Sequence, residues 1–199
     1  MSVTLIAGLG NPGREYAGTR HNLGFTVVEA LAAAEGLKWK SESRFEALTA
    51  RWDVRPGVTR LFVKPTTFMN DSGRALRGLL DFHRAAVSDL VVVYDDLTID
   101  TGCVKVSVRG SAGGHNGVAS LLKHLGSGFI RYRLGINEPR PAGMDLKNFV
   151  LEKFSPEQTK LIDQKLTTFV DGLRLLIKRG PAEAMNLLNR RDHHEPDQA

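Results

Sequence analysis

The sequence predicts a single α/β domain, a mixed twisted sheet flanked by helices. Three observations carry this. Short apolar runs alternate with runs of helical period along most of the chain. Two of the runs, VTLIAGL from Val3 and LVVVY at 90–94, are apolar on both parities, as strands covered on both faces are. Two alternating segments, 45–52 and 58–64, are separated by Arg55, Pro56 and Gly57, which read as a hairpin loop. A hairpin in an otherwise alternating strand–helix chain makes the sheet mixed.

The elements follow in order. The first strand runs into a Gly-Pro-rich loop from Gly8. A helix is predicted over 22–35, with Phe25, Val28, Leu31 and Ala32 on one face and Gly36 as its stop. After the hairpin comes a helix over 72–83, turning Leu76, Leu79 and Leu80 inward. A buried strand at 89–94 ends on Asp95 and Asp96, and 103–108 alternates as a half-exposed strand. The loop GSAGG leads into a helix at 116–125, and 131–136 is a further strand. EPRPAGM (138–144) reads as a loop. Helices over 156–178 and 181–188 close the fold, each with proline in its opening turn, where the missing N–H does no harm. One domain is expected over residues 1–190, with 191–199 a disordered tail.

Composition narrows the function classes. A chain of 199 residues, 42% hydrophobic and 25% charged, has the make-up of one soluble globular domain. No apolar run is long enough for a bilayer, and the N-terminus lacks the basic flank of a secretory signal. The one cysteine, Cys103, excludes internal disulfides and cysteine-cluster metal sites and favours a cytoplasmic home. The net charge is +5, and between residues 102 and 140 the cations Lys105, Arg109, Lys123, Arg131, Arg133 and Arg140 face only Glu138. That stretch is either a solvated cationic surface or a surface that meets phosphates.

Four polar clusters follow strands. The first, GLGNPG, matches the dinucleotide fingerprint G-x-G-x-x-G, but the helix that should start at once begins only near Asn22, and Pro12 has no amide to offer. Its glycines instead let the backbone turn and leave Asn11 at the end of a central strand, where α/β proteins bind ligands. Asn11 can present an amide to a carbonyl or a water, or only tighten the turn. His21, beside the predicted helix start, can take a proton at neutral pH, or serve as a surface or capping residue. The second cluster, KPTTFMNDSG, sets Asn70 at a helix mouth, where N-cap duty is the structural alternative, and Phe68 before it, a core candidate. The third, YDDL, holds Asp95 and Asp96; one can orient an imidazole, or both are turn carboxylates in solvent. The fourth, GSAGGHNG, places free amides and Asn116 before a helix; with Lys105, Arg109, Arg131 and Arg133 nearby, it can meet an anion. No metal-ligand spacing and no G-x-S-x-G elbow occur. One imidazole, one acid and three amides at strand ends suit metal-free hydrolysis with His21 as base.

Together GLGNPGREYAGTRHNLG, KPTTFMNDSG, YDDL and GSAGGHNG resemble, in order and spacing, the bacterial-type peptidyl-tRNA hydrolases, over residues 3–188. The resemblance implies an enzyme that cuts the ester joining a peptide to the 3′-terminal ribose of tRNA and frees the tRNA for reuse. It implies one α/β domain, no cofactor or metal, a monomer without an obligate protein partner, and no membrane association. By position, His21 matches the general base, Asp95 the acid that steers it, and Asn11 the residue separating peptidyl from aminoacyl esters. Tyr16, Phe68, Asn70 and Asn116 match substrate-binding positions. Lys105 and Arg133 match positions that meet tRNA phosphates. Three departures stand out: Thr98 replaces the last acid of the family's Asp-x-Leu-Asp, proline is absent near Thr101, and Ser107 stands where a basic residue is frequent. The rival readings are a catalytically silent RNA-binding relative and, from GLGNPG alone, a dinucleotide-dependent oxidoreductase.

Overall fold

A computed structural model of the chain describes residues 2–139 and 145–190. The first strand, β1 (Ser2–Gly8), is the central one of seven. The others are β2 (Lys40–Glu42), β3 (Ala47–Arg55), β4 (Val58–Pro65), β5 (Leu90–Asp100), β6 (Val104–Ser107) and β7 (Ile130–Asn137), in the spatial order β2-β3-β4-β1-β5-β7-β6. Strands β4, β1, β5 and β7 run parallel, with Ile6 in register with both Phe62 and Val91. The hairpin β3–β4, the short β2 and the margin strand β6 are antiparallel. The sheet is mixed, as the hairpin predicts, and its four parallel strands point their carboxyl ends to one edge.

The period of two explains why β1 is apolar on both parities. Leu5 and Ala7 pack with Leu76, Leu79 and Leu80 of α2 (Ser72–His83) and with Val118 and Leu121 of α3 (Asn116–Leu125). Ile6 faces the other way, toward Val27, Val28 and Leu31 of α1 (Leu23–Ala34) and Phe169, Leu173 and Leu176 of the long α5. That helix, Pro156–Arg179, follows the six-residue α4 (Leu146–Leu151), and α6 (Pro181–Leu188) comes last. A capping box opens α5: the Ser155 hydroxyl accepts the Gln158 amide while Gln158 Oε1 accepts the Ser155 amide. The buried Tyr132 hydroxyl donates to the Phe169 carbonyl, 2.7 Å away, and so ties α5 to the sheet.

Three local expectations are corrected. Phe45 does not begin a strand; it closes a 3₁₀ turn, Ser43–Phe45, and β3 starts at Ala47. The strand expected to stop at Tyr94 continues through Asp95 and Asp96 to Asp100, because β7 goes on pairing with it. Gly135 makes room there: a Cβ at this position would stand 2.0 Å from the Asp100 carbonyl oxygen. Third, β2 and α4 appear where no element was expected, since segments of three and six residues are too short to show a period. The 138–144 loop, apart from its first two residues, and the 191–199 tail lie outside the described residues.

Candidate active site

The site forms at the carboxyl edge of the parallel strands, starting with the loop after β1. Its glycines are packing residues. A Cβ on Gly8 would meet the Gly24 carbonyl oxygen at 2.5 Å, and one on Gly10 would meet the Phe25 ring at the same distance, so both let the loop lie against α1. Gly13 leads into a single 3₁₀ turn, Arg14–Tyr16, and α1 begins only at Leu23. The helix that the fingerprint needs directly after its last glycine starts ten residues later, which removes the ground for reading this loop as a pyrophosphate site.

What the loop does hold firmly is Asn11, 7% exposed. Its amide donates to Asn22 Oδ1 (2.8 Å) and its carbonyl accepts from Asn22 Nδ2 (2.9 Å). Its own side-chain oxygen accepts the Met69 amide at 2.8 Å. An N–H donor identifies that atom as the oxygen, so Nδ2 is the end left to donate into the cavity that Asn11 lines.

His21 lies in the 3₁₀ turn Arg20–Asn22 immediately before α1. Its Nδ1 is 3.0 and 3.1 Å from the two carboxylate oxygens of Asp95, which is 2% exposed on β5. A second imidazole reaches the same acid: His115 Nε2 is 3.1 Å from Asp95 Oδ1. His115 also caps α3, where its Nδ1 accepts the amides of Gly117 and Val118. An Nδ1 that accepts carries no proton, so the proton of neutral His115 is on Nε2 and is donated to Asp95. His21 likewise donates from Nδ1, which leaves its Nε2 unprotonated. Burial alone would raise the Asp95 carboxyl; the two imidazoles overcome this and hold it well below the usual carboxylate range. Asp95 is therefore an anion that fixes the tautomer of both rings.

His21, Asp95 and His115 bring possible metal ligands within 4.8 Å of one another. The donor chemistry does not fit an ion there. His115 cannot turn an unprotonated nitrogen to it without giving up its cap, and Asp95 already accepts from both rings.

The other expected residues spread over the rim. Asn11, His21, Phe68, Asn70, Asp95, Asn116 and Arg133 all line one cavity of about 1030 Å³. Asn70 and Asn116 are exposed. Phe68 is 59% exposed, not core, and Tyr16 meets it edge to face at 6.4 Å. Asn70 is not the cap of α2; Asp71 takes the preceding position, and Asn70 sits inside the 3₁₀ turn Met69–Asp71. Lys105 and Arg133 stand opposite each other on β6 and β7; Arg133 lines the cavity and Lys105 does not. Arg133 Nε donates to Asp96 Oδ2 at 2.9 Å and its Nη2 to Thr98 Oγ1 at 3.1 Å. Thr98, the departure from the family pattern, is thereby built in: its amide and hydroxyl both donate to Asp96 Oδ1.

Two readings of the Gly-rich loop are corrected. Arg131 is not an open phosphate contact. It is 4% exposed, its guanidinium donates to the carbonyls of Gly110 and Ser111, and it stacks on Phe129 at 4.8 Å. Nor is the N-terminus of α3 free for an anion, because His115 takes two of its amides. Gly113 and Gly114 have φ of 56° and 82°, and this pair of left-handed residues delivers His115 to the cap.

Four residues of the site went unseen in the sequence: His115, Asn22, Met69 and Arg20. The buried Arg20 closes the C-terminal end of α4. Its Nη1 donates to the carbonyls of Phe149 (3.1 Å) and Lys153 (3.2 Å), Nη2 donates to Gln158 Oε1 (2.8 Å), and the group lies 4.1 Å over the Phe149 ring. In this way Arg20, next to His21, anchors the helix whose Leu146, Val150 and Leu151 form one wall of the cavity. Only the position of His115, directly before a helix, could have flagged it.

Fold and site together define a class: an α/β protein with a buried carboxylate and an imidazole of fixed tautomer, able to take a proton from water beside an anchored carboxamide. The family model for peptidyl-tRNA hydrolase matches residues 5–196, and the chain belongs to that family. It is 39% identical to the peptidyl-tRNA hydrolase of Gloeobacter violaceus over 98% of each chain. It is 40% identical to that of Aquifex aeolicus, covering 96% of this chain and 99% of the other. The crystal structure of the Acinetobacter baumannii peptidyl-tRNA hydrolase superposes with a TM-score of 0.85 at 33% identity, over 94% of both chains.

Proposed function

We propose that this chain hydrolyses the ester between a peptide, or any N-blocked aminoacyl group, and the 3′-terminal ribose of tRNA. It does so as one domain of residues 1–190, a monomer in the cytoplasm, without metal, cofactor or obligate protein partner. The observation that carries the reading is the Asp95–His21 contact at 3.0 Å, with His21 facing the cavity that Asn11 also lines. In this reading His21 Nε2 takes a proton from water as the water oxygen attacks the ester carbonyl. The acyl–oxygen bond then breaks, and the ribose oxygen leaves with the proton that His21 took from the water. Asn11 Nδ2 donates to a substrate carbonyl. Tyr16, Phe68, Asn70 and Asn116 receive the terminal nucleotide and the peptide backbone, and Lys105 and Arg133 meet phosphates. Among the described residues no helix is long and apolar enough to cross a membrane.

The direct test is the purified protein acting on N-acetyl-aminoacyl-tRNA in excess chelator. Release of free tRNA is expected; an inert protein, or one revived only by added metal, would overturn the reading. Nothing favours the silent relative, since base and acid stand at hydrogen-bond distance.

Asn11 carries the prediction on specificity. An unblocked substrate brings a charged ammonium to a place where Nδ2 already offers a hydrogen, so two donors meet and the cation is desolvated without a partner. The ratio of peptidyl to aminoacyl cleavage is expected to fall about tenfold or more in Asn11→Asp, which accepts where the native residue donates. An unchanged ratio would remove Asn11 from discrimination.

A further inference from the structure

At the opposite margin of the sheet lies a second groove of about 520 Å³, lined by β2, β3 and the far end of α2. It is about one helix length from Asn70, since the twelve residues of α2 span roughly 18 Å. Its chemistry is cationic and aromatic. Lys38, Lys40, Arg44 and Arg51 line it against the single acid Glu42. The cations around it are neutralised: Arg51 pairs with Asp53, Arg74 with Glu46, and Arg77 with Asp81. Lys38, Lys40 and Arg44 have no carboxylate partner among the described residues, and all three are exposed.

Beside these free cations stands Phe82, 56% exposed. Its ring is supported by Phe45, 5.2 Å away, and by His83 at 5.0 Å in an edge contact. Arg44 lies 5.2 Å from the Phe45 ring and 5.5 Å from that of Phe82. Burial, and then the nearby Arg51, push the His83 imidazole down, so it adds a neutral ring to the platform at physiological pH. An exposed, braced aromatic ring among unpaired cations has the make-up of a nucleic-acid contact: the cations take phosphates and the ring stacks a base, whatever its sequence. An acidic protein partner would satisfy the charges but would not need the ring.

We infer that this groove is a second contact for the substrate tRNA, away from its 3′ end, with phosphates on Lys38, Lys40 and Arg44 and an unpaired base on Phe82. The inference rests on the function proposed above. It is tested with Phe82→Ala and with the double charge reversal Lys40→Glu, Arg44→Glu, all at exposed positions. Each is assayed on N-acetyl-aminoacyl-tRNA and on the same blocked aminoacyl group carried by a short 3′-terminal oligonucleotide. KM for the whole tRNA is expected to rise about fivefold or more in both variants, with kcat within about twofold. The short substrate should be cleaved as by the parent chain, and the log–log salt dependence of tRNA binding should flatten by about one to two in the double variant. An unchanged KM for whole tRNA, or an equal rise for both substrates, overturns the inference. If the parent chain cleaves neither substrate, the functional reading fails instead; the salt slope for uncharged tRNA then decides the groove alone, an unaltered slope overturning it.

Discussion

Replacing His21 by alanine is expected to lower single-turnover hydrolysis of peptidyl-tRNA by about a hundredfold or more, the range for losing a positioned base. The structure offers no substitute among the described residues that touch Asp95. His115 is the nearest imidazole, its ring centre 4.6 Å from that of His21, but both its nitrogens are committed, one to the amides of α3 and one to Asp95. It cannot take a proton from water without abandoning the cap. Substrate binding is expected to survive, because the contacts proposed for the terminal nucleotide and the peptide lie on other elements. The check is the single-turnover rate with enzyme in excess, beside the affinity for uncharged tRNA. A variant that keeps near-full rate would show that another group moves the proton.

How much of this was legible in the sequence follows from where each residue sits. Asn11 follows the carboxyl end of β1, Asp95 lies two residues past Val93, the last β5 residue paired with β1, and His21 precedes the helix packed on β1, so recognising the strands was enough to bring these residues to one edge. The hairpin fixed the mixed sheet for a similar local reason. Arg131 misled because a charge written in a sequence does not show its burial; only the fold reveals that two carbonyls and a ring enclose it. The strand break placed at Tyr94 failed on a related ground. The second half of β5 is polar because it borders a cavity instead of a core, and polarity there was taken for a turn. His115 stayed hidden because its role is a matter of tautomer, set jointly by a helix end and a carboxylate twenty residues away.

That tautomer logic makes Asp95→Asn the sharper test. The carboxylate accepts from two rings at once; an amide can accept at one end only. His115 cannot surrender its Nε2 proton while its Nδ1 caps α3, so it claims the amide oxygen at the place of Oδ1. The amide nitrogen then falls at the place of Oδ2, 3.1 Å from His21 Nδ1, where its hydrogens oppose a protonated Nδ1, while the oxygen at the place of Oδ1, 3.0 Å from the same nitrogen, is shared with the His115 donor. The His21 proton is driven to Nε2, the atom that should receive one from water. In serine-protease triads the corresponding wrong tautomer costs about 10⁴-fold, and a loss of about a thousandfold or more is expected here. Nitrogen NMR of the two rings should find His21 protonated on Nε2 in the variant and on Nδ1 in the parent chain. Adding His115→Ala frees the amide to turn its oxygen to His21, so the double variant should regain part of the lost rate. A single variant at near-parental rate, or a double variant no faster than the single, would break the argument. The same carboxylate marks the acid limb of stability. Because the fold depresses its pKa, its contribution is complete above the unfolded value of about 3.9 and is lost as the pH falls below it. Asp95→Asn should therefore unfold less steeply with acid than the parent chain.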